Sequence, residues 1–304
     1  LMTLSVPRLM LLREVAARGT IAAAAEAVAY SASAVSQQLT KLEAEVGAPL
    51  LERHGRGVAL TELGRIAVEQ ADLLFRSLDR ASAAIDAARG TTAGRVGVAA
   101  FPSGLTELVA PAAHTLSQTA PDLRLEAWQM EDNDSIAELR LGTVDLALLQ
   151  AYSHLPRPTH NDLSTIALID DPLMLAIPST WEERSGATLA TFRDVPWIAE
   201  PAETPAGRAL ERAARAADFI PDIRYRVEDF TVTRALVAEG LGVALIPQLA
   251  SSKSTEGVRL IPIPRQNMVR RIYAATRHDE IQRPTVRATL EALHQAAAQI
   301  ETAR

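Results

Sequence analysis

The sequence predicts a multidomain chain: an α-helical winged helix-turn-helix, a long linker helix, and a two-lobed α/β domain. Three observations predict it. Two short helical patterns flank a tight turn before Gly47, a helical pattern then runs without proline from Thr61 to about Ala88, and from Arg95 onward apolar strands alternate with helices. The length of 304 residues is about twice that of an ordinary domain, which fits more than one core.

Val6–Ala17 carries Leu9, Met10, Leu12 and Val15 at a helical period and is stopped by Gly19. Thr20 can cap a second helix, the alanine-rich run from Ile21 to Ala29. A third helix follows from Ala32, with Val35, Leu39, Leu42 and Val46 on one face and Gly47 as its stop. Two helices across a turn this short, the second opening with small polar side chains, form a helix-turn-helix pattern. Ala48–Leu60, with Pro49, two glycines, Arg53 and Arg56, suits a two-stranded wing. Thr61 and Glu62 cap the long helix, whose Leu63, Ile66, Leu74 and Ala81 lie near a three-four repeat and predict a dimerisation face.

Gly90–Gly94 is a short flexible linker, so residues 1–60, 61–89, 90–94 and 95–304 read as DNA-binding domain, linker helix, hinge and effector domain. Beyond it, strands near Val96–Ala100, Leu123–Trp128, Val144–Leu149, Leu173–Ile177, Trp197–Ala199, Val243–Ile246 and Ile272–Ala275 interleave with helices over 104–119, 134–141, 205–217, 231–239 and 282–301. That order predicts a largely parallel sheet with right-handed crossovers. Breaks at Asp171-Pro172 and between Pro262 and Pro264 divide it into lobe I (95–168 and 266–304) and lobe II (169–265), with a cleft between them.

Composition excludes several classes. Hydrophobic residues at 48% and charged residues at 22% exclude disorder, and no cysteine is present, which removes disulfides, thiol nucleophiles and cysteine-held zinc. No apolar run reaches the roughly 18 residues of a membrane span, and Leu1–Arg13 lacks a signal-peptide layout, so no membrane partner is expected and the expected compartment is the cytoplasm. The six histidines show no metal spacing, no Gly-x-Ser-x-Gly elbow occurs, and no phosphate-cradling loop follows a strand, so neither enzyme, cofactor nor metal is expected. The net charge of −6 opposes nucleic-acid binding, but residues 1–60 carry six basic against five acidic side chains, leaving −7 on the rest. Charge alone supports DNA binding little.

The stretch Gly19-Thr20 with Ala22-Ala23-Ala24, then Ser33-Ala34-Val35-Ser36-Gln37-Gln38-Leu39, Lys41-Leu42-Glu43, Gly47, Pro49-Leu50-Leu51-Glu52-Arg53 and Leu60-Thr61, resembles the N-terminal domain of LysR-type transcriptional regulators. Gly142-Thr143-Val144-Asp145 and the run from Val237 through Gly240 and Gly242 to Pro247 resemble that family's effector domain. The resemblance implies a sequence-specific DNA-binding transcription regulator with a periplasmic-binding-protein-like sensor domain that answers to a small-molecule effector, carboxylate- or amine-bearing. It also implies a homodimer, two of which pair into a homotetramer on double-stranded DNA of dyad symmetry, with RNA polymerase as a further partner. Ala32 and Gln37 depart from the family's usual Gln or Pro and Arg, so base specificity is expected to differ.

Ser33, Ser36 and Gln37 at the start of the third helix are the candidate base readers, with Gln37 suited to adenine. Lys41, Arg53 and Arg56 are candidate phosphate or minor-groove contacts. The bland alternative, a polar solvent-facing helix with ordinary surface charge, is outweighed by the matched spacing for the helix and for Arg53, and stays open for Lys41 and Arg56. Candidate effector contacts are Ser103, Asp132, Gln150, Glu200, Thr204 and Phe230, all at strand ends facing the expected cleft. Ser103 serves equally as a helix cap. Asp132, which falls where the family frequently has Ser or Thr, fits either an ammonium partner or a solvated helix N-terminus. The alternative from another class is a solute-binding module whose N-terminal helices serve only oligomerisation.

Overall fold

The computed structural model describes residues 4–54, 57–89, 92–153, 155–156, 158–182, 186–251, 256–263 and 268–302. The N-terminal unit holds α1 (Val6–Arg18), α2 (Ile21–Ala27), α3 (Ala32–Val46), β1 (Leu51–His54) and β2 (Gly57–Leu60). Thr20 and Ser31 cap α2 and α3 by accepting from the backbone N–H groups of Ala23 and Ala34, and α1 and α3 end on left-handed Gly19 and Gly47. Leu12, Val15, Ala24, Val35, Leu39, Leu42 and Leu50 fill one core. Glu43 ties α3 to the wing: its Oε1 accepts from the N–H groups of Leu50 (2.8 Å) and Leu51 (3.2 Å). The wing strands pair antiparallel from Leu51↔Leu60 to His54↔Gly57.

The linker helix α4 (Glu62–Arg89) leaves the wing at Thr61, whose hydroxyl accepts from Gly64 N–H. Gly64 is required there, because a Cβ would sit 2.1 Å from the Leu50 carbonyl oxygen.

The α/β unit contains β3 (Gly94–Ala100), α5 (Pro102–Gly104) running through a π-helical turn (Leu105–Val109) into α6 (Ala110–Thr119), β4 (Leu123–Gln129), α7 (Asp132–Leu141), β5 (Leu146–Tyr152) and β6 (Leu163–Pro178). It continues with β7 (Pro196–Ala199), α8 (Pro205–Ala216), β8 (Asp222–Arg226), α9 (Phe230–Ala238), β9 (Ala244–Pro247), β10 (Val258–Pro262), β11 (Val269–Arg277) and α10 (Pro284–Thr302). The expected break at Asp171-Pro172 is instead the middle of β6. Its first part pairs with β11, its second with β9 and β10, so one strand of 16 residues threads both lobes.

The largely parallel sheet is also corrected. β3 pairs parallel with β4 and β5, and β7 with β8, but every pairing of β6 and β11 is antiparallel. Chain crossings between lobes enforce this: β6 and β11 run in opposite senses through the waist, and each lobe builds its short parallel ladders outward from them. One lobe packs Val98, Leu108, Leu146, Leu148, Ile272 and Leu293 under α6 and α10. The other packs Leu175, Leu189, Phe192, Trp197, Leu210 and Val243 under α8. In its connection from helix to strand, a Cβ at Gly242 would stand 2.5 Å from the Pro196 carbonyl oxygen, which explains that glycine by close approach. Among the described residues no helix is long and apolar enough to cross a membrane.

Candidate functional site: the third-helix face and the interlobe cleft

Helical periodicity sorts α3 into two sides. Val35, Leu39 and Leu42 are buried, whereas Ser33, Ser36, Gln37 and Lys41 are exposed along the opposite side, joined by Thr40, which the sequence reading did not single out. Thr40 donates to the Ser36 carbonyl at 3.1 Å, and Ser33 meets Ser31 hydroxyl to hydroxyl at 3.1 Å. Gln38, by contrast, is held by Arg8 at 2.9 Å, and Arg8 also pairs with Glu45. Arg53 is exposed on β1. Arg56 lies outside the described residues.

Along α4, Leu63 and Ile66 are exposed together with Leu73, Leu78 and Ile85, while Leu74 leans partly onto the winged-helix core. Ala81 is exposed. At 3.6 residues per turn, positions 63, 66, 73, 78, 81 and 85 share one side of the helix.

The cleft is organised by a residue absent from the sequence-based candidates, Arg270. It is 1% exposed on β11, and its guanidinium bonds Asp171 of β6 through Nη2 (2.7 Å) and Nε (3.1 Å). Nη2 also donates to Ser103 Oγ (2.9 Å), and Nη1 to Gln150 Oε1 (3.2 Å). The ring of Phe101 lies 4.9 Å beneath it. Ser103 and Gln150 are thus brought together at strand ends of one lobe, around a cation already matched by Asp171. Asp132 opens α7 beside them: Oδ2 accepts from Gln150 N–H at 3.0 Å, whereas Oδ1 is shut from solvent with no hydrogen-bond partner among the described residues.

The facing lobe supplies acids. Glu200 follows β7, and Glu228 precedes α9. Burial pushes the Asp132 carboxyl up to about 7, Glu131 adding to the rise while Gln150 N–H and Arg270 oppose it. Burial likewise lifts Glu200 to about 7 against a hydrogen bond from Thr204, with Glu131 and Glu228 raising it further. Glu131 is raised by desolvation and by Glu228, opposed by Arg270. Glu131 therefore interacts across the cleft with Glu200 and Glu228, and with Asp132 on its own wall. Thr204 caps α8 by accepting from Gly207 N–H at 3.0 Å. Phe230 lines a small half-open pocket next to Glu200, with Ile198, Ala206, Leu210 and Leu245.

α7 joins the two regions. Its first residue is Asp132 in the cleft, and at its other end Arg140 O accepts from Arg13 Nη2 (2.9 Å) while Glu138 pairs with Arg18 (3.1 Å). Arg13, 5% exposed on α1, also lies 2.6 Å from Asp72 and 4.6 Å from the Phe75 ring centre of α4. Winged helix, linker helix and effector domain meet at this arginine.

A winged helix-turn-helix joined by a long helix to a two-lobed α/β domain puts a DNA-binding type of fold and a ligand-binding type of fold in one chain, and the family matches identify that pairing as a transcription regulator. A family model described as "Bacterial regulatory helix-turn-helix protein, lysR family" matches residues 7–65, and "LysR substrate binding domain" matches residues 89–298. The chain belongs to the LysR family of DNA-binding transcription regulators. It is 26% identical over 303 residues to the probable HTH-type transcriptional regulator LrrA of Synechococcus elongatus, covering 98% of this chain and 99% of that protein. Its fold is shared with a full-length OxyR variant from Pseudomonas aeruginosa (TM-score 0.67, 22% identity, 97% and 98% coverage). It is also shared with CbnR, a LysR family regulator solved with its target DNA (TM-score 0.56, 23% identity, 97% and 100% coverage).

Proposed function

We propose that this regulator reads a dyad-symmetric DNA site through α3 and answers to a small molecule bound between its lobes. The observation that carries the first half is the exposed polar row Ser33, Ser36, Gln37, Lys41 on a helix whose other side is locked into the winged-helix core. Such a helix fits the major groove with its N-terminal residues at base edges, Gln37 suiting adenine, while Arg53 and Lys41 meet phosphates. The exposed apolar side of α4 supports pairing with a second copy, and two such dimers form the tetramer read from the family resemblance. RNA polymerase is the natural further partner, and the cytoplasm the compartment where the chromosome is reached.

The second half is supported by the convergence of Ser103, Asp132, Gln150 and Glu200 on one cleft. No cysteine is available, so the signal is not a thiol oxidation. The test is selection of genomic fragments by the purified protein, followed by sequencing, with Gln37→Ala and Arg53→Ala in parallel. Recovery of a dyad is expected. Gln37→Ala should relax one position of each half-site and cost about 5- to 150-fold, a loss of about 1–3 kcal/mol, and Arg53→Ala should weaken all sequences evenly with a salt slope lower by about one. A folded dimer that enriches nothing across a salt series would favour a ligand-binding module instead.

A further inference from the structure

We propose that the effector is a cation, an amine or guanidine with a short apolar arm, held between the acids of the two lobes. The inference rests on the reading of the cleft as the effector site and narrows what that site accepts.

Charge is the first argument. Glu131 and Asp132 stand on one wall, Glu200 and Glu228 on the other, and each of Glu131, Asp132 and Glu200 feels at least one of the other acids and Arg270. Arg270 is the cation that a carboxylate effector would need, but Asp171 already accepts from it twice at the waist, and Ser103 and Gln150 take further donors. A carboxylate entering this cleft would meet four carboxyl groups and a guanidinium already engaged. An ammonium would meet acceptors on both walls and draw the lobes together.

Hydrogen-bond inventory is the second argument. Among the described residues Asp132 Oδ1 has no hydrogen-bond partner and is shut from solvent, while Oδ2 is held in place by Gln150 N–H. A carboxylate oxygen fixed in orientation and lacking a donor calls for N–H from a ligand, because leaving it unmet in a desolvated site is costly. Shape is the third argument. Directly beside Glu200, Ala206, Leu210, Phe230 and Leu245 line an apolar hollow of about 20 Å³, which offers apolar contact to a methyl-sized group next to the cationic head and no further charge.

The experiment is calorimetric titration of the full chain at pH 8 with n-butylamine, putrescine, phenethylamine and methylguanidine, against butyrate, succinate and phenylacetate. Saturable binding of at least one cation and none of the anions is expected, weakened about tenfold or more in Asp132→Asn and in Glu200→Gln. Both variants are near-isosteric and remove a disfavoured charge, so their melting temperatures should not fall. Binding by the anions with the cations inert would overturn the cation class while keeping the cleft as effector site. Equal cation binding by wild type and both variants would overturn the site assignment for that ligand. Absence of binding by every cation, in a protein that still selects its DNA dyad, would overturn the inference and leave the regulator reading standing.

Discussion

At the residue scale, the waist of the effector domain depends on the pair Arg270–Asp171, with side chains 1% and 0% exposed. Removing one member of such a pair strands the other in a low-dielectric site, a loss of about 3–5 kcal/mol. Arg270→Met should therefore lower the unfolding free energy of the effector domain, read from urea titration, by that amount, and Asp171→Asn combined with Arg270→Met should recover much of it. The acids give a second expectation. Asp132 and Glu200 titrate near 7 in the folded chain, above the values of about 4 of unfolded carboxyls, so the folded state holds protons that the unfolded state has released. Their contribution to stability is greatest in mild acid and declines as pH rises from about 4 to 7, then levels off. Burial sets most of both shifts; Glu131, and for Glu200 also Glu228, raises them, while Arg270, the Gln150 N–H at Asp132 and Thr204 at Glu200 oppose them. Melting temperatures from pH 5 to 8 should fall more in wild type than in the Asp132→Asn, Glu200→Gln double variant; parallel curves would refute this. That Ser103, Asp132, Gln150 and Glu200 gather around one cleft was legible because strand ends in an α/β domain face it. Arg270 was not, since its partner lies 99 residues away and Asp171-Pro172 reads locally as a break. An acid inside the apolar run Leu168–Ile177 was the available signal, because a charge there requires a buried partner.

At the element scale, helices were legible and the longest strand was not. α2, α3 and α7 announce themselves by cap and stop residues, Thr20, Gly47 and Gly142, whose effects are local. β6 combines an exposed-buried alternation in its first half with a continuous apolar run in its second, since the halves belong to different lobes. α7 has the most consequential position, with one end at the cleft and the other against α1. The pair Arg18–Glu138 is partly exposed, so it contributes up to about 1 kcal/mol. Arg18→Glu should raise hydrogen exchange severalfold in α1 and in the last turn of α7, and adding Glu138→Arg should restore protection. Unchanged exchange in both variants would mean that the two units do not hold each other in solution.

At the scale of the whole molecule, three-part organisation followed from periodicity alone, because each part has its own repeat: short capped helices, one long helix, then strands alternating with helices. Periodicity also pointed to a pairing face on α4, through Leu63, Ile66, Leu74 and Ala81. The exposed apolar residues of α4 are what the proposed pairing of copies rests on. Leu63, Ile66, Leu73, Leu78 and Ile85 are 46–55% exposed, an unusual concentration on one side of one helix, while the same helix's Ala71 is buried and its Leu74 and Phe75 lean against its own winged-helix core. A second α4 laid along this side would cover the stripe and set two α3 helices at a fixed spacing, which is what a dyad DNA site requires. Ile66→Glu with Leu73→Glu places charges in that seam without touching the buried core. Sedimentation should then show the monomer where wild type sediments as a dimer or larger. Affinity for a full dyad should drop by about two orders of magnitude or more, because the second half-site contact is no longer intramolecular, while affinity for a single half-site should be unchanged. A double variant that stays dimeric would remove α4 as the pairing surface and require the interface to lie on the effector domain.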